Sequence, residues 1–120
     1  MKLLGVVGEA KVMLTAIKLN QKKFKLHDTL EFQFEVTSLA KKSQRLVIDY
    51  VIDFVKSNGT KSSKVFKLKV IELEGGESRS LKKKHSLRPI TTMTYYKGIH
   101  HLWIQINGKN LAKCDWNFLV

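Results

Sequence analysis

Apolar and polar residues alternate with a period of two along most of this chain. From Thr29 to Ser38 the sequence T-L-E-F-Q-F-E-V-T-S puts Leu30, Phe32, Phe34 and Val36 on one face and Glu31, Gln33, Glu35 and Thr37 on the other. That is the pattern of a half-buried antiparallel strand. Residues 45–56 carry Ile48, Tyr50, Ile52 and Phe54 on one side, while Val47, Val51 and Val55 flank Asp49 and Asp53 on the other. Apolar residues on both faces predict a central strand. Residues 11–19 read as a weaker strand. At 64–73, Phe66, Leu68 and Val70 alternate with Lys67 and Lys69, and Glu74-Gly75-Gly76-Glu77 follows. Paired glycines suit primed two-residue turns, so a hairpin is expected there, returning along 77–85 with Leu81 inward beside Phe66, Leu68 and Val70.

A final hairpin joins 99–106 to 110–118 around Asn107-Gly108. A plain two-residue loop would set Lys113 opposite Leu102. A three-residue loop, with Gly108 left-handed in a bulge, aligns Leu102 and Ile104 with Ala112, Cys114, Trp116 and Phe118. A slip of one residue turns every side chain to the other face, so the bulged register, which keeps one face apolar, is expected.

Seven strands with short turn signals between them, Ser57-Asn58-Gly59-Thr60 included, predict an all-β fold in 120 residues: an immunoglobulin-like antiparallel β-sandwich. The first, second, fifth and fourth strands are expected in one sheet, and the third, sixth and seventh in the other. Residues 1–10 read as a linker, and 11–120 as the single sandwich domain. Pro89 falls in a connecting segment, where it removes no ladder hydrogen bond. Tyr95 and Tyr96, before the sixth strand, suggest a tyrosine corner.

Composition narrows the function classes. A single cysteine, Cys114, excludes an internal disulfide framework and a Cys-rich zinc module. No apolar run approaches the ~20 residues of a membrane span. The short apolar start is broken by Glu9, unlike a secretory signal, so a cytoplasmic location without membrane contact is expected. Asp49 and Asp53 share a face, yet four residues of strand separate them by about 13 Å, beyond the ~5–9.5 Å of paired glycosidase carboxylates. No glycine-rich phosphate loop precedes a helix. His100 and His101 point to opposite faces and cannot chelate one ion together, and His27 and His85 stand apart. Cys114 falls on the core face with no base pattern beside it. No catalytic site, metal or cofactor is expected, and the chain does not read as an enzyme.

Charge is the informative feature. The chain has 22 Lys and Arg against 10 Asp and Glu, a formal net charge of +12. Pairing across Gly75-Gly76 would set Lys69 opposite Lys82 and Lys67 opposite Lys84 on one outer face. Like charges opposite one another destabilise a sheet, so such a cluster either holds an anion or is offset by Glu31 and Glu35. Lys64, Arg88 and Lys97 extend the basic region, and contact with the phosphate backbone of DNA is expected to be sequence-tolerant and salt-sensitive. The alternative is a protein-docking face: the bulged register turns His101 and Trp103 outward near Lys113, and exposed apolar patches mark protein contacts.

Leu46–Lys69 (L-V-I-D-Y-V-I-D-F-V-K-S-N-G-T-K-S-S-K-V-F-K-L-K), Lys84–His100 (K-H-S-L-R-P-I-T-T-M-T-Y-Y-K-G-I-H) and Q-I-N-G at 105–108 together resemble the carboxy-terminal domain of certain HEAT-repeat DNA alkylation repair proteins. The resemblance covers most of the chain. It implies an appended, non-catalytic accessory domain, because the alkylated-base glycosylase chemistry of such proteins belongs to a helical array that these strands cannot form. It also implies that Lys64, Lys67, His85 and Arg88 match family positions, and that a HEAT-repeat domain is the partner within the parent protein.

Overall fold

A computed structural model describes residues 11–56, 60–87 and 96–119. Nine strand segments follow one another: β1 (Val12–Leu14), β2 (Lys18–Leu19), β3 (Lys23–Phe24), β4 (Thr29–Ser38), β5 (Gln44–Val55), β6 (Lys61–Leu73), β7 (Ser78–Ser86), β8 (Gly98–Ile106) and β9 (Lys109–Phe118). One sheet has β4 at its centre, with β1 and β2 along one side and β7 along the other; the second runs β3-β9-β8-β5-β6. All pairings are antiparallel except β3 with β9. The alternating apolar residues meet between the sheets: Leu30, Phe32, Phe34 and Val36 from β4 pack with Leu46, Ile48, Tyr50, Ile52 and Phe54 from β5 and with Leu102, Ile104, Trp116 and Phe118. The expected all-β sandwich is the fold.

The fourth expected strand, residues 64–73, lies in the other sheet from the one expected. β6 pairs with β5 along its whole length, and β7 pairs with β4. Glu74–Glu77 is therefore a crossing between sheets and not a hairpin turn. Electrostatics explains the choice. A hairpin would face Lys69 with Lys82 and Lys67 with Lys84. The observed β5–β6 pairing instead faces Lys67 with Asp49 and Glu72 with Arg45. Opposite charges directly across a ladder stabilise by roughly 0.2–1 kcal/mol each, and like charges cost a similar amount.

The crossing turn is built tightly. Glu77 N donates to Glu74 O at 3.0 Å, and Gly76 at the third position has φ +80°, the geometry of a type II turn. A Cβ at Gly75 would stand 2.7 Å from Ala40 O and 2.8 Å from Lys41 O, so only glycine lets the turn nest against the β4–β5 loop.

Two bulges correct the expected phases. Between Ile48 and Asp49 the β5–β6 register shifts past Leu68, so Phe66 and Leu68 face inward, Ile71 and Leu73 follow them, and Val70 turns outward at 51% exposure. The last hairpin has the expected alignment, with Leu102 opposite Cys114 and Ile104 opposite Ala112. Its turn, however, is a two-residue Asn107-Gly108 loop with φ of 49° and 85°, and the extra residue is Leu111. The first strand is likewise divided: β1 and β2 stay on β4, then the chain crosses to form β3 beside β9. Residues 1–10, Pro89 and Tyr95 lie outside the described residues.

Candidate nucleic-acid interface

β6 and β7 are edge strands of different sheets, so the two lysine-bearing segments rim one narrow side of the sandwich. Stacked sheets stand about 10 Å apart, and the four lysines of the expected cluster do not share a face. Lys67 projects from the outer face of the β5–β6 sheet opposite Asp49, and Lys69 lies at the bulge opposite Ile48. Lys82 and Lys84 project from the opposite side of the sandwich. There Lys82 Nζ is 2.7 Å from Glu31 Oε1, and Lys84 is paired across from Glu31. The hydrogen bond from Lys82 holds the Glu31 carboxyl below its ordinary value. Lys97 is exposed beside Gly98 at the end of the sandwich where Val55 lies, and Arg88 lies outside the described residues.

What β6 and β7 do share is the mouth between them. Lys64 pairs with buried Ile52, Phe66 with Tyr50, Lys83 with buried Phe32 and His85 with buried Leu30, so all four take inward-facing positions. Tyr50 Oη lies 2.8 Å from His85 Nδ1, a hydrogen bond from one sheet to the other. The Tyr50 ring stacks on Phe66 at 5.1 Å, and the His85 ring meets Phe66 at 4.7 Å. Burial first, and the Lys83 charge second, push the His85 pKa down; burial pushes the Tyr50 phenol up. A protonated phenol facing a neutral imidazole nitrogen is its natural donor, which puts the ring's own proton on Nε2. Glu31 and Asp49, the nearby strand carboxylates, sit at outward positions. Lys83 and His85 were legible as part of the basic region, but their inward placement and the Tyr50–His85 link were not. The signal was a polar residue at each inward position of the strand 78–86 on either side of Leu81.

The three residues of the docking alternative do come together on the outer face of the second sheet. Trp103 pairs with Lys113, and His101 with Asp115. Trp103 Nε1 donates to Asp53 Oδ2 at 2.9 Å, Ser63 Oγ donates to Asp53 Oδ1, and Lys113 Nζ stands 5.4 Å from the centre of the indole ring. Val51, although outward, is buried between its pairing partners Val65 and Trp103. Val47, Val65, Val70 and Ile99 add exposed apolar surface to this face. The outer face of the β4 sheet is built instead from Thr, Ser, Glu, Gln and Lys, with Met13 its large apolar exception.

Among the described residues, no group of three or more His, Cys, Asp or Glu is placed to hold a metal. Asp53 is bound by Ser63 and Trp103. His100 is fully buried against Phe54, Trp116 and Phe118. Burial raises the Cys114 thiol to about 11, so it stays protonated near neutral pH. No helix among the described residues is long and apolar enough to cross a membrane.

Two stacked, mainly antiparallel sheets with a first strand divided between them define an immunoglobulin-like domain. The chain belongs to the family of C-terminal Ig-like domains of the uncharacterised protein YhaZ, whose family model matches residues 13–120. It is 33% identical over 114 residues to the uncharacterised YhaZ of Bacillus subtilis, covering 95% of this chain and 31% of that protein. It is 31% identical, with a TM-score of 0.89, to part of the Pseudomonas fluorescens alkylpurine DNA glycosylase AlkC bound to DNA containing an abasic site analogue. That match covers 92% of this chain and 31% of the glycosylase. The chain thus spans about a third of the length of both relatives. A β-glucosidase from Erythrobacter marinus aligns with a TM-score of 0.75 at 15% identity, over 93% of this chain and 16% of the enzyme, a likeness of fold alone.

Proposed function

We propose that this chain is the non-catalytic accessory domain of a DNA-alkylation-repair-like protein, contributing sequence-tolerant electrostatic contact with DNA. The observation that carries the reading is the basic narrow side: Lys64, Lys67, Lys69, Lys82 and Lys84, with Lys83, lie on two adjacent edge strands of a domain with net charge +12. Its likeness to part of a DNA-bound alkylpurine glycosylase supports the same reading. DNA lies along the mouth and its two rims, not on a four-lysine cluster on one face. Arg88 and Lys97 follow β7 in the chain and are proposed to extend the basic side. Glycosylase chemistry is assigned to the rest of such a protein, and a HEAT-repeat region there is its expected partner.

Replacing Lys64, Lys69, Lys82 and Lys84 by Ser should weaken binding of a duplex oligonucleotide and flatten its salt dependence. The slope of log K against log salt falls by about 0.9 for each phosphate that a lysine no longer neutralises. Unchanged affinity and slope in fluorescence anisotropy refute the assignment.

The apolar outer face around Trp103 favours a second reading, in which His101, Trp103 and Lys113 dock on a protein partner. It predicts that the portion of YhaZ outside the match, supplied as a separate chain, binds this domain, and that Trp103→Ala abolishes the association. A folded Trp103→Ala domain that still binds excludes this face.

A further inference from the structure

An edge strand must discourage pairing with other chains, and an inward-pointing charge is one way to do so. That requirement accounts for one lysine on each edge, Lys64 on β6 and Lys83 on β7. It does not account for what lies between them. At the level of Phe66, the inward position of β7 is a histidine, and a phenol from the opposite sheet binds its Nδ1. Lys83 stands one inward step from His85 towards the crossing turn, and Lys64 one inward step from Phe66 towards the other end. Among the described residues, Trp116 Nε1 is the one buried side-chain polar atom without a partner. His85 Nε2 makes no hydrogen bond with another described residue, and the His85 side chain is only partly buried.

We propose that the mouth between β6 and β7 is a phosphate subsite, in which His85 donates its Nε2–H to a phosphate oxygen while Lys64 and Lys83 flank the same group. The chemistry follows from the geometry. Tyr50 Oη, held in the core of one sheet, occupies Nδ1 and fixes both the tautomer and the ring orientation, as the partner of a functional imidazole commonly does. A neutral donor adds direction without adding charge, and the two ammonium groups neutralise the phosphate. The strand carboxylates close to the mouth point away from it, so no acid competes for the lysines from the adjoining strands. This subsite rests on the DNA reading for the source of its phosphate but not for its existence.

The test separates the two. In the wild-type domain, long-range ¹H–¹⁵N spectra of the histidine rings should show His85 as the Nε2–H tautomer, and its Nε2 resonance should shift saturably on titration with inorganic phosphate. With a duplex oligonucleotide, His85→Ala should weaken binding about threefold to tenfold with the salt slope unchanged, because a neutral donor releases no counterion. Lys64→Ser and Lys83→Ser combined should reduce the slope by about 0.9, the contribution of the one phosphate they flank. Tyr50→Phe keeps the ring but frees Nδ1, and should weaken binding less than His85→Ala while mixing the tautomers.

Duplex affinity within about twofold of wild type for a folded His85→Ala domain, or a slope altered by about 0.9 in that variant, overturns the proposal. Should His85→Ala fail to fold, Tyr50→Phe decides: mixed tautomers with unchanged affinity overturn the subsite. If the wild-type domain binds no duplex, the DNA reading falls. The phosphate titration then decides the subsite by itself, and an unmoved Nε2 resonance removes it.

Discussion

Asparagine at position 75 distinguishes a crossing turn from a hairpin. In a primed two-residue hairpin, Asn at the first loop position is favoured and would leave stability unchanged or raise it. In the observed turn, a Cβ there meets Ala40 O at 2.7 Å and Lys41 O at 2.8 Å, both backbone atoms that cannot swing aside. Relief requires Glu74–Glu77 to back away from the β4–β5 loop. That strains the Gly76 N–H bond to Ser38 O at 3.1 Å and the Ser38 N–H bond to Glu77 O at 2.9 Å. Overpacking costs about 1–3 kcal/mol, and each weakened hydrogen bond adds up to about 1 kcal/mol. Gly75→Asn should therefore destabilise by about 2–4 kcal/mol. Gly76 has open space around it but φ +80°, so Gly76→Ala should lose about 1–2 kcal/mol from left-handed strain alone, and Gly76→Asn less. In urea, with a slope near ~2 kcal/mol/M, the Gly75→Asn midpoint should fall by about 1–2 M. A Gly75→Asn domain as stable as wild type would refute both the close approach and the sheet crossing built on it.

Two further outcomes follow from backbone strain and titration. His27 has φ 76° in the Lys25–Asp28 turn, where Asp28 N donates to Lys25 O. His27→Gly relieves a left-handed conformation, so it should raise stability by about 0.5–1 kcal/mol in a melting experiment, and a loss would refute the strain. His85 and His100 are both pushed down, chiefly by burial; Lys83 adds to the first, Lys61 and His101 add to the second, and the Gly98 carbonyl opposes. With folded pKa values below the unfolded ~6.5, the unfolded chain binds more protons in that interval. Stability should be complete above about pH 6.5 and decline as pH falls below it. His85→Gln should shrink the decline, and equal stability at about pH 7 and about pH 5 would contradict the assignment.

The strands that alternate cleanly were legible from their residues. Thr29–Ser38 occupies the span its pattern predicts, and Ile48, Tyr50, Ile52 and Phe54 face the core as expected. The apolar alignment of the last hairpin was also legible, although the chain reaches it through a bulge at Leu111. The partner of residues 61–73 was misread because Gly75-Gly76 is a strong local turn signal, whereas the competing signal is non-local. Asp49 and Arg45 had to be matched with Lys67 and Glu72 across an intervening turn and most of two strands. The same error placed Lys67, Lys69, Lys82 and Lys84 on one face.

Side-chain alternation, turn glycines and a +12 charge were sufficient for an all-β domain of strongly basic character, because period and composition are properties of the chain read locally. Which lysines are neighbours, and that Tyr50 reaches His85 from the opposite sheet, depended on the way two edges came to lie side by side. That arrangement is a balance of cross-strand charges and close backbone packing between segments far apart in the chain. No local pattern encodes such a balance, so only the folded molecule decides it.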